Sequence, residues 1–276
     1  MFTVTQHRLA PPVQQQPSPN FNAGRIIVPR FLVFHYTVID FDATLRAFGR
    51  SGGNSAHLVV ARDGRVAQCV DFNRRAWHAG ESRWQTWTDL NTHSIGIEVE
   101  NLGWLQRRAD GRFVSTTDVP VDAADVVEAR HKNPGHPHRW WQAYSQPQLD
   151  ACAELAAVLC AEYGLVEVLG HDDIAPTRKA DPGPAFPLTR MIAAGLGRND
   201  PGAEPPAAGA LMRVVPTFLN LRSGPSKDNA KVGAPLPQDT WVRRLGLQGD
   251  WAQVRIEGPT PREGFVWAAF LAPYAP

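Results

Sequence analysis

Apolar residues fall in short runs along the first two-thirds of the chain, and their spacing alternates between strand and helix periods. Phe31 to Thr37, after a break at Pro29, reads as a buried strand with His35 near its C-terminal end. Ser55 to Ala61 and Val66 to Asp71 are β-like, and the Asp63-Gly64 step in the turn between them is a hairpin signal. Ser94-Ile95-Gly96-Ile97-Glu98-Val99-Glu100 alternates polar and apolar positions, the period of a strand. Asp42 to Gly49 fits a short helix. A longer helix is expected after Ser145, which suits an N-cap, with Pro147 in the first turn and Gly164 as the C-cap. Leu149, Cys152, Ala153, Leu155, Ala156, Leu159, Cys160 and Tyr163 make its apolar face. Val166 to Leu169 is a short strand leading to His171, and Leu188 to Leu196 a closing helix. Leu105 to Trp141 is less regular, with a turn at 107–112 and a loop rich in Pro and Gly at 130–141.

These elements divide the chain. Residues 1–24 are polar, rich in Pro and Gln, and expected to be irregular. Strands interleaved with helices over 25–196 predict a layered α/β domain. Residues 197–209 have linker composition. Beyond them, β-like runs at Met212–Val215, Thr240–Leu245, Trp251–Ile256 and Gly264–Trp267 suggest a small all-β barrel over 210–276. Some of the residues Trp241, Trp251 and Trp267 are expected inside it.

Composition narrows the function. A hydrophobic content of 43% supports a packed core, and a net charge of +1 gives no basic excess for a nucleic-acid partner. No apolar run reaches the length of a membrane span or a signal peptide, so no membrane insertion is expected. The expectation is synthesis in the cytoplasm, with release or export by a route other than a cleaved leader. Cys69, Cys152 and Cys160 are too sparse for a disulfide framework.

The candidate chemistry centres on His171 to Pro184, where a His, a Lys and an Asp fall close together before a Pro-rich run. His35 and His171 each end an apolar strand-like run, and strand ends converge at one edge of a sheet. Asp181 arrives on the loop after His171. Two His and one carboxylate leave a fourth tetrahedral position for water, the pattern of a catalytic zinc. Glu98 lies mid-strand among apolar residues, a costly place for a carboxylate without a task, and suits a general base. Lys179 could stabilise an oxyanion. Taken singly, His35 fits a hydrogen-bonded structural residue, Glu98 a partner for an Arg, and Asp181 a turn residue; the joint pattern favours a zinc amide hydrolase. His57 reads as a strand residue of the core or groove wall. His131, His136 and His138 lie in a loop without further ligand-like support, and it reads as a solvated or groove-flanking loop rather than a second metal site.

Phe34-His35-Tyr36-Thr37, Asn54-Ser55-Ala56-His57, Arg75-Ala76-Trp77-His78-Ala79-Gly80, Ser94 to Glu100 and His171 with Lys179-Ala180-Asp181-Pro182-Gly183 occur in the order of the type 2 N-acetylmuramoyl-L-alanine amidases, which this chain resembles over residues 25–196. The resemblance implies a central mixed β-sheet flanked by helices. It implies Zn2+ held by His35, His171 and Asp181, with Glu98 and Lys179 as catalytic helpers. It further implies a groove with Asn54, Trp77 and His78 that holds peptidoglycan or a muropeptide, cut between the lactyl group and L-alanine. Two departures stand out. Ala56 occupies a position where phage-type members often carry Tyr, which shifts catalytic burden to Glu98. The third ligand is Asp, as in the recycling enzymes, rather than Cys. Leu219 to Ser226, Gly249 to Val254 and Gly264 to Trp267 resemble bacterial SH3-like domains, which implies a wall-targeting module. The alternatives are a recycling amidase for soluble anhydro-muropeptides and a receptor that binds peptidoglycan without cutting it.

Overall fold

The computed structural model describes residues 2–197, 211–248, 251–256 and 261–273. The chain divides into two compact units, residues 1–191 and 192–276. Apart from Gly197, the expected linker lies outside the described residues, as do the first and last positions of the expected C-terminal module.

The first unit is built on a six-stranded mixed sheet. Its strands are β1 (Gln14–Gln15), β2 (Phe31–Tyr36), β3 (Leu58–Val60), β4 (Val66–Gln68) and β5 (Ser94–Val99), joined later in the chain by Glu167–Gly170. A second sheet follows β5: β6 (Trp104–Arg107), β7 (Phe113–Val114), β8 (Pro120–Val121), β9 (Val126–Glu128) and β10 (Trp140–Gln142). With Glu167–Gly170 as β11, the central order is β11-β2-β5-β3-β4-β1, and the second sheet runs β8-β7-β6-β10-β9. β11, β2, β5 and β3 are parallel neighbours, and the β3–β4 hairpin turns back through Gly64. The parallel centre explains the burial of β5. Apolar Ile95, Ile97 and Val99 face one side, and Ser94, Gly96 and Glu98 face the other, which is also covered.

Helices α1 (Phe41–Phe48), α2 (Gln146–Tyr163) and α3 (His171–Ile174) accompany the central sheet, and α4 (Leu188–Leu196) follows them in the chain. Asp40 caps α1 by accepting the Ala43 N–H at 2.7 Å. Phe41, Leu45 and Phe48 then join a core with Val59, Ala67 and Val70. Ser145 and Gln148 form the capping box of α2, and Gly164, in the left-handed region at φ 60°, ends it. Its buried face is rotated slightly from the expected one: Gln148 and Ala151 join Cys152, Leu155, Ala156, Leu159 and Cys160, while Leu149, Ala153 and Tyr163 are half-buried. Leu155 and Leu159 are fully enclosed, each contributing about 1.5–3 kcal/mol. All three cysteines are buried and none is in a disulfide.

Two expectations are corrected. Residues 2–24 are irregular only in part: β1 extends the central sheet, and Phe21–Ile26 pairs with Arg74–Ala76. Residues 105–141 supply most of the second sheet. Its strands have two to four residues, too short to show a period in the sequence.

His57 is fully buried and pins β3 to its surroundings. Its Nδ1 accepts the Gly96 N–H at 2.9 Å and its Nε2 faces the Arg74 carbonyl at 2.9 Å, so Nε2 carries the proton of a neutral ring. Burial lowers its pKa from 6.5 to about 4, against a smaller upward pull from the Arg74 carbonyl. The unfolded chain therefore takes up this proton before the native state does. Stability from this group is intact above pH 6.5, is lost as pH falls toward 4, and is constant below that, a total of about 3 kcal/mol. Denaturant unfolding at a series of pH values should show a smaller acid loss for His57→Asn than for wild type. Equal losses would rule out this source.

In the second unit, β12 (Leu211–Val214), β13 (Trp241–Gln248), β14 (Trp251–Ile256), β15 (Arg262–Trp267) and β16 (Leu271–Pro273) form a five-stranded antiparallel sheet in the order β15-β14-β13-β12-β16. Its core is aliphatic: Val214, Leu221, Leu236, Val242, Val254, Val266 and Leu271. No Trp is buried in it. Trp241 is exposed, while Trp251 and Trp267 are cross-strand partners, half-buried, with rings 5.3 Å apart. Strand alternation places them on the face opposite Val242, Ala252 and Val266.

Candidate active site

β2 and β5 lie side by side in parallel register, with Glu98 opposite His35. β11, on the other side of β2, delivers His171 one residue beyond its end. The following loop returns Asp181, whose carbonyl accepts the Asp172 N–H at 2.7 Å. Three buried atoms thereby meet. His35 Nδ1 and His171 Nδ1 are 2.9 Å apart, and Asp181 Oδ2 is 3.1 Å from the first and 2.9 Å from the second. Among the described residues this is the one group of three or more side chains with metal-ligand spacing.

The wider hydrogen bonding decides which protons these atoms carry. His171 Nε2 faces the Ala79 carbonyl at 3.0 Å, and a carbonyl only accepts, so Nε2 carries a proton and Nδ1 is the nitrogen left to offer its lone pair to a cation. Burial works to raise the Asp181 carboxyl, but its contacts with His171 and His35 outweigh this and keep it ionised. Burial pushes His35 down to about 4, so it is neutral. Bare lone pairs at such separations repel unless a cation lies among them. A tetrahedral zinc with bonds of about 2.0 Å has ligand atoms about 3.3 Å apart. The donor set and its spacing therefore fit zinc.

The three atoms adjoin a cleft of about 630 Å³ lined by Tyr36, Asn54, Glu98, Trp104, Lys179 and Asp181 among others. Glu98 Oε2 is shut off from solvent and has no hydrogen-bond partner. Burial, and next the charge of Asp181, raises its pKa well above the usual range, and Lys179 opposes them. Lys179 lines the same cleft and is half-buried.

The three residues expected to hold substrate fare differently. Asn54 is exposed on the cleft wall. Trp77 is not in that wall; its indole N–H donates to Asn22 Oδ1 at 2.9 Å. His78 reaches the cleft but is buried, with Nδ1 3.0 Å from His35 Nε2 and Nε2 3.4 Å from Ser94 Oγ, so neither nitrogen is free for a ligand.

Sequence reading missed several contributors. Asn91 Oδ1 accepts the backbone N–H of both His78 and Ala79, at 2.9 and 2.7 Å. Arg178 donates to the carbonyls of Ala79 and Glu81 at 2.8 and 2.7 Å, tying the loop before Asp181 to the same segment. Trp104 on β6 and His138 in the loop before β10 stack in the cleft wall with rings 3.8 Å apart. The loop of His131, His136 and His138 thus flanks the cleft. It is also fastened to the ligand-bearing loop: His131 Nε2 lies 3.0 Å from Asp172 Oδ2, and Asn133 donates to the Asp172 carbonyl at 2.8 Å. Ser94 and Arg178 had a signal in the polar phase of β5 and the basic pair before Ala180. Asn91 had none.

A family model described as N-acetylmuramoyl-L-alanine amidase matches residues 25–184. The N-acetylmuramoyl-L-alanine amidase AmiD of Escherichia coli (strain K12) is 35% identical over 176 residues, 61% of this chain and 54% of AmiD. The 1,6-anhydro-N-acetylmuramyl-L-alanine amidase AmpD of Salmonella typhimurium (strain SL1344) is 33% identical over 141 residues, 50% of this chain and 56% of that protein. The chain thus spans about half the length of these curated relatives. A solved complex of Escherichia coli AmiD with the substrate anhydro-N-acetylmuramic acid-L-Ala-D-gamma-Glu-L-Lys superposes with a TM-score of 0.47 at 28% identity, covering 70% of this chain and 65% of that one. Because the family model takes in more than half of the sequence, this chain belongs to the N-acetylmuramoyl-L-alanine amidase family.

Proposed function

We propose that the protein is a zinc-dependent amidase that hydrolyses the bond between the lactyl group of N-acetylmuramic acid and L-alanine. The observation that carries this reading is the meeting of His35 Nδ1, His171 Nδ1 and Asp181 Oδ2 beside an unpartnered, enclosed Glu98 oxygen in an open cleft. Family membership and the names of the relatives support the choice of bond. His35, His171 and Asp181 would hold the zinc, which supplies Lewis acidity toward the attacking water and the scissile carbonyl. Glu98 takes the proton from that water and returns it to the leaving amine. Its upward-shifted pKa suits the return of that proton to the leaving amine. Lys179 donates to the oxyanion as it develops, and Asn54 on the cleft wall contacts the muropeptide.

The second unit serves as an SH3-like anchor for the cell wall, a reading supported by its five-stranded antiparallel sheet and the Asn220-Leu221-Arg222-Ser223-Gly224-Pro225 segment. The described residues contain no helix long and apolar enough to cross a membrane.

Mass spectrometry of products from purified sacculi and from a soluble anhydro-muropeptide, with and without a zinc chelator, tests the proposal. Chelator-sensitive release of free stem peptide is the expected result. Release from sacculi that falls when residues 198–276 are removed, with the soluble substrate still cut, is expected of a wall amidase. Cleavage confined to the soluble substrate would replace wall lysis with recycling. No cleavage of either substrate would overturn the amidase reading in favour of a receptor.

A further inference from the structure

We infer that His78 and Ser94 are positioning residues that set the proton on the metal ligand His35, and that the His78–Ala79 segment thereby orients both histidine ligands. The inference rests on the zinc reading above. It follows from donor and acceptor bookkeeping along one chain of contacts. Ser94 Oγ donates its single proton to the Leu90 carbonyl at 2.6 Å, so toward His78 it can only accept. His78 Nε2, 3.4 Å from that oxygen, is then the protonated nitrogen, and His78 Nδ1 is the acceptor. His35 Nε2, 3.0 Å from His78 Nδ1, must donate, which leaves a bare lone pair on His35 Nδ1 facing His171 and Asp181. For His171 the neighbouring Ala79 carbonyl does the same task by accepting from Nε2.

The segment is built to be held still. Asn91 grips the backbone of His78 and Ala79. The His78 ring lies against the polar face of β5, where a Cβ on Gly96 would sit 2.4 Å from its Cγ, so only glycine admits the ring. A group that fixes the tautomer of a ligating histidine sharpens both its direction and its basicity.

The test measures zinc affinity by competition with a chromogenic chelator, using the full chain stripped of metal and reloaded. His78→Phe keeps ring shape but accepts nothing. His78→Asn loses ring volume but presents an oxygen near the place of Nδ1. His78→Phe is expected to bind zinc roughly 10- to 100-fold more weakly than wild type, with His78→Asn largely restored. A purely structural role would reverse that order. Ring-nitrogen NMR of the isotope-labelled, zinc-loaded wild type supplies a readout that needs no variant, with the proton expected on Nε2 of both His35 and His78. A proton on His78 Nδ1, or wild-type affinity in a folded His78→Phe, would overturn the inference while leaving the zinc site standing. Failure of wild type to bind zinc would overturn the metal reading, and this inference with it.

Discussion

Asp181→Ala is expected to eliminate turnover and to weaken zinc binding by on the order of 10²- to 10³-fold, one ligand's share of the ~10–16 kcal/mol given by a complete zinc site. The reason is geometric as well as electrostatic. Asp181 Oδ2 stands 2.9 and 3.1 Å from the two ring nitrogens and is the one anionic member of the set. Without it, two neutral imidazoles facing each other at 2.9 Å hold a divalent ion with no charge to offset its own. The fold should survive, because the backbone carbonyl of residue 181 still accepts from Asp172 and Tyr144 still donates to the Pro182 carbonyl at 2.9 Å. Zinc titration, product mass spectrometry and far-ultraviolet circular dichroism on one preparation check the three parts. Undiminished zinc affinity in a folded variant would remove Asp181 from the ligand set.

Glu98→Gln is expected to lower kcat by roughly 10²- to 10⁴-fold with zinc affinity unchanged, the signature of a lost proton carrier rather than a lost ligand. Glutamine keeps the size of the side chain but cannot take a proton from water. Stability should be no lower than wild type. Burial and the charge of Asp181 already press the Glu98 carboxyl toward its neutral form, and its Oε2 has no partner to lose. Steady-state kinetics, a zinc titration and a thermal melt separate these effects. Full activity in the variant would transfer the base role elsewhere, and a loss that tracked zinc depletion would make Glu98 part of the metal site.

Much of the frame was legible in the sequence because local rules govern it. The β3–β4 hairpin, the capping box of α2 and its Gly164 end rest on residues within a few positions of one another, so propensity and turn chemistry suffice. The second sheet was not legible. Strands as short as Phe113–Val114 and Pro120–Val121 gain their hydrogen bonds from neighbours in space, and no periodicity marks them. The aliphatic core of the second unit was missed for a related reason. Alternation tells which residues share a face of a strand, but not which face is covered, and there the Val and Leu residues are inside while Trp251 and Trp267 stay half-buried.

The sequence by itself determined which residue types could do the chemistry: two His at strand ends, an Asp on the return loop, a Glu and a Lys near them. It determined the order of the elements that carry them, since each motif is contiguous and physically local. Only the tertiary structure decided how those groups relate. Parallel pairing of β2 and β5 sets Glu98 beside His35, and a contact across 136 residues joins His35 to His171. Tertiary structure also withdrew Trp77 from the cleft, engaged both ring nitrogens of His78, and brought in Asn91, whose side chain meets the backbone of His78 and Ala79 across a loop. The direction of a hydrogen bond depends on what stands at its far end. For His35 that end is reached through His78 and Ser94 at the Leu90 carbonyl, a chain of partners that folding alone assembles.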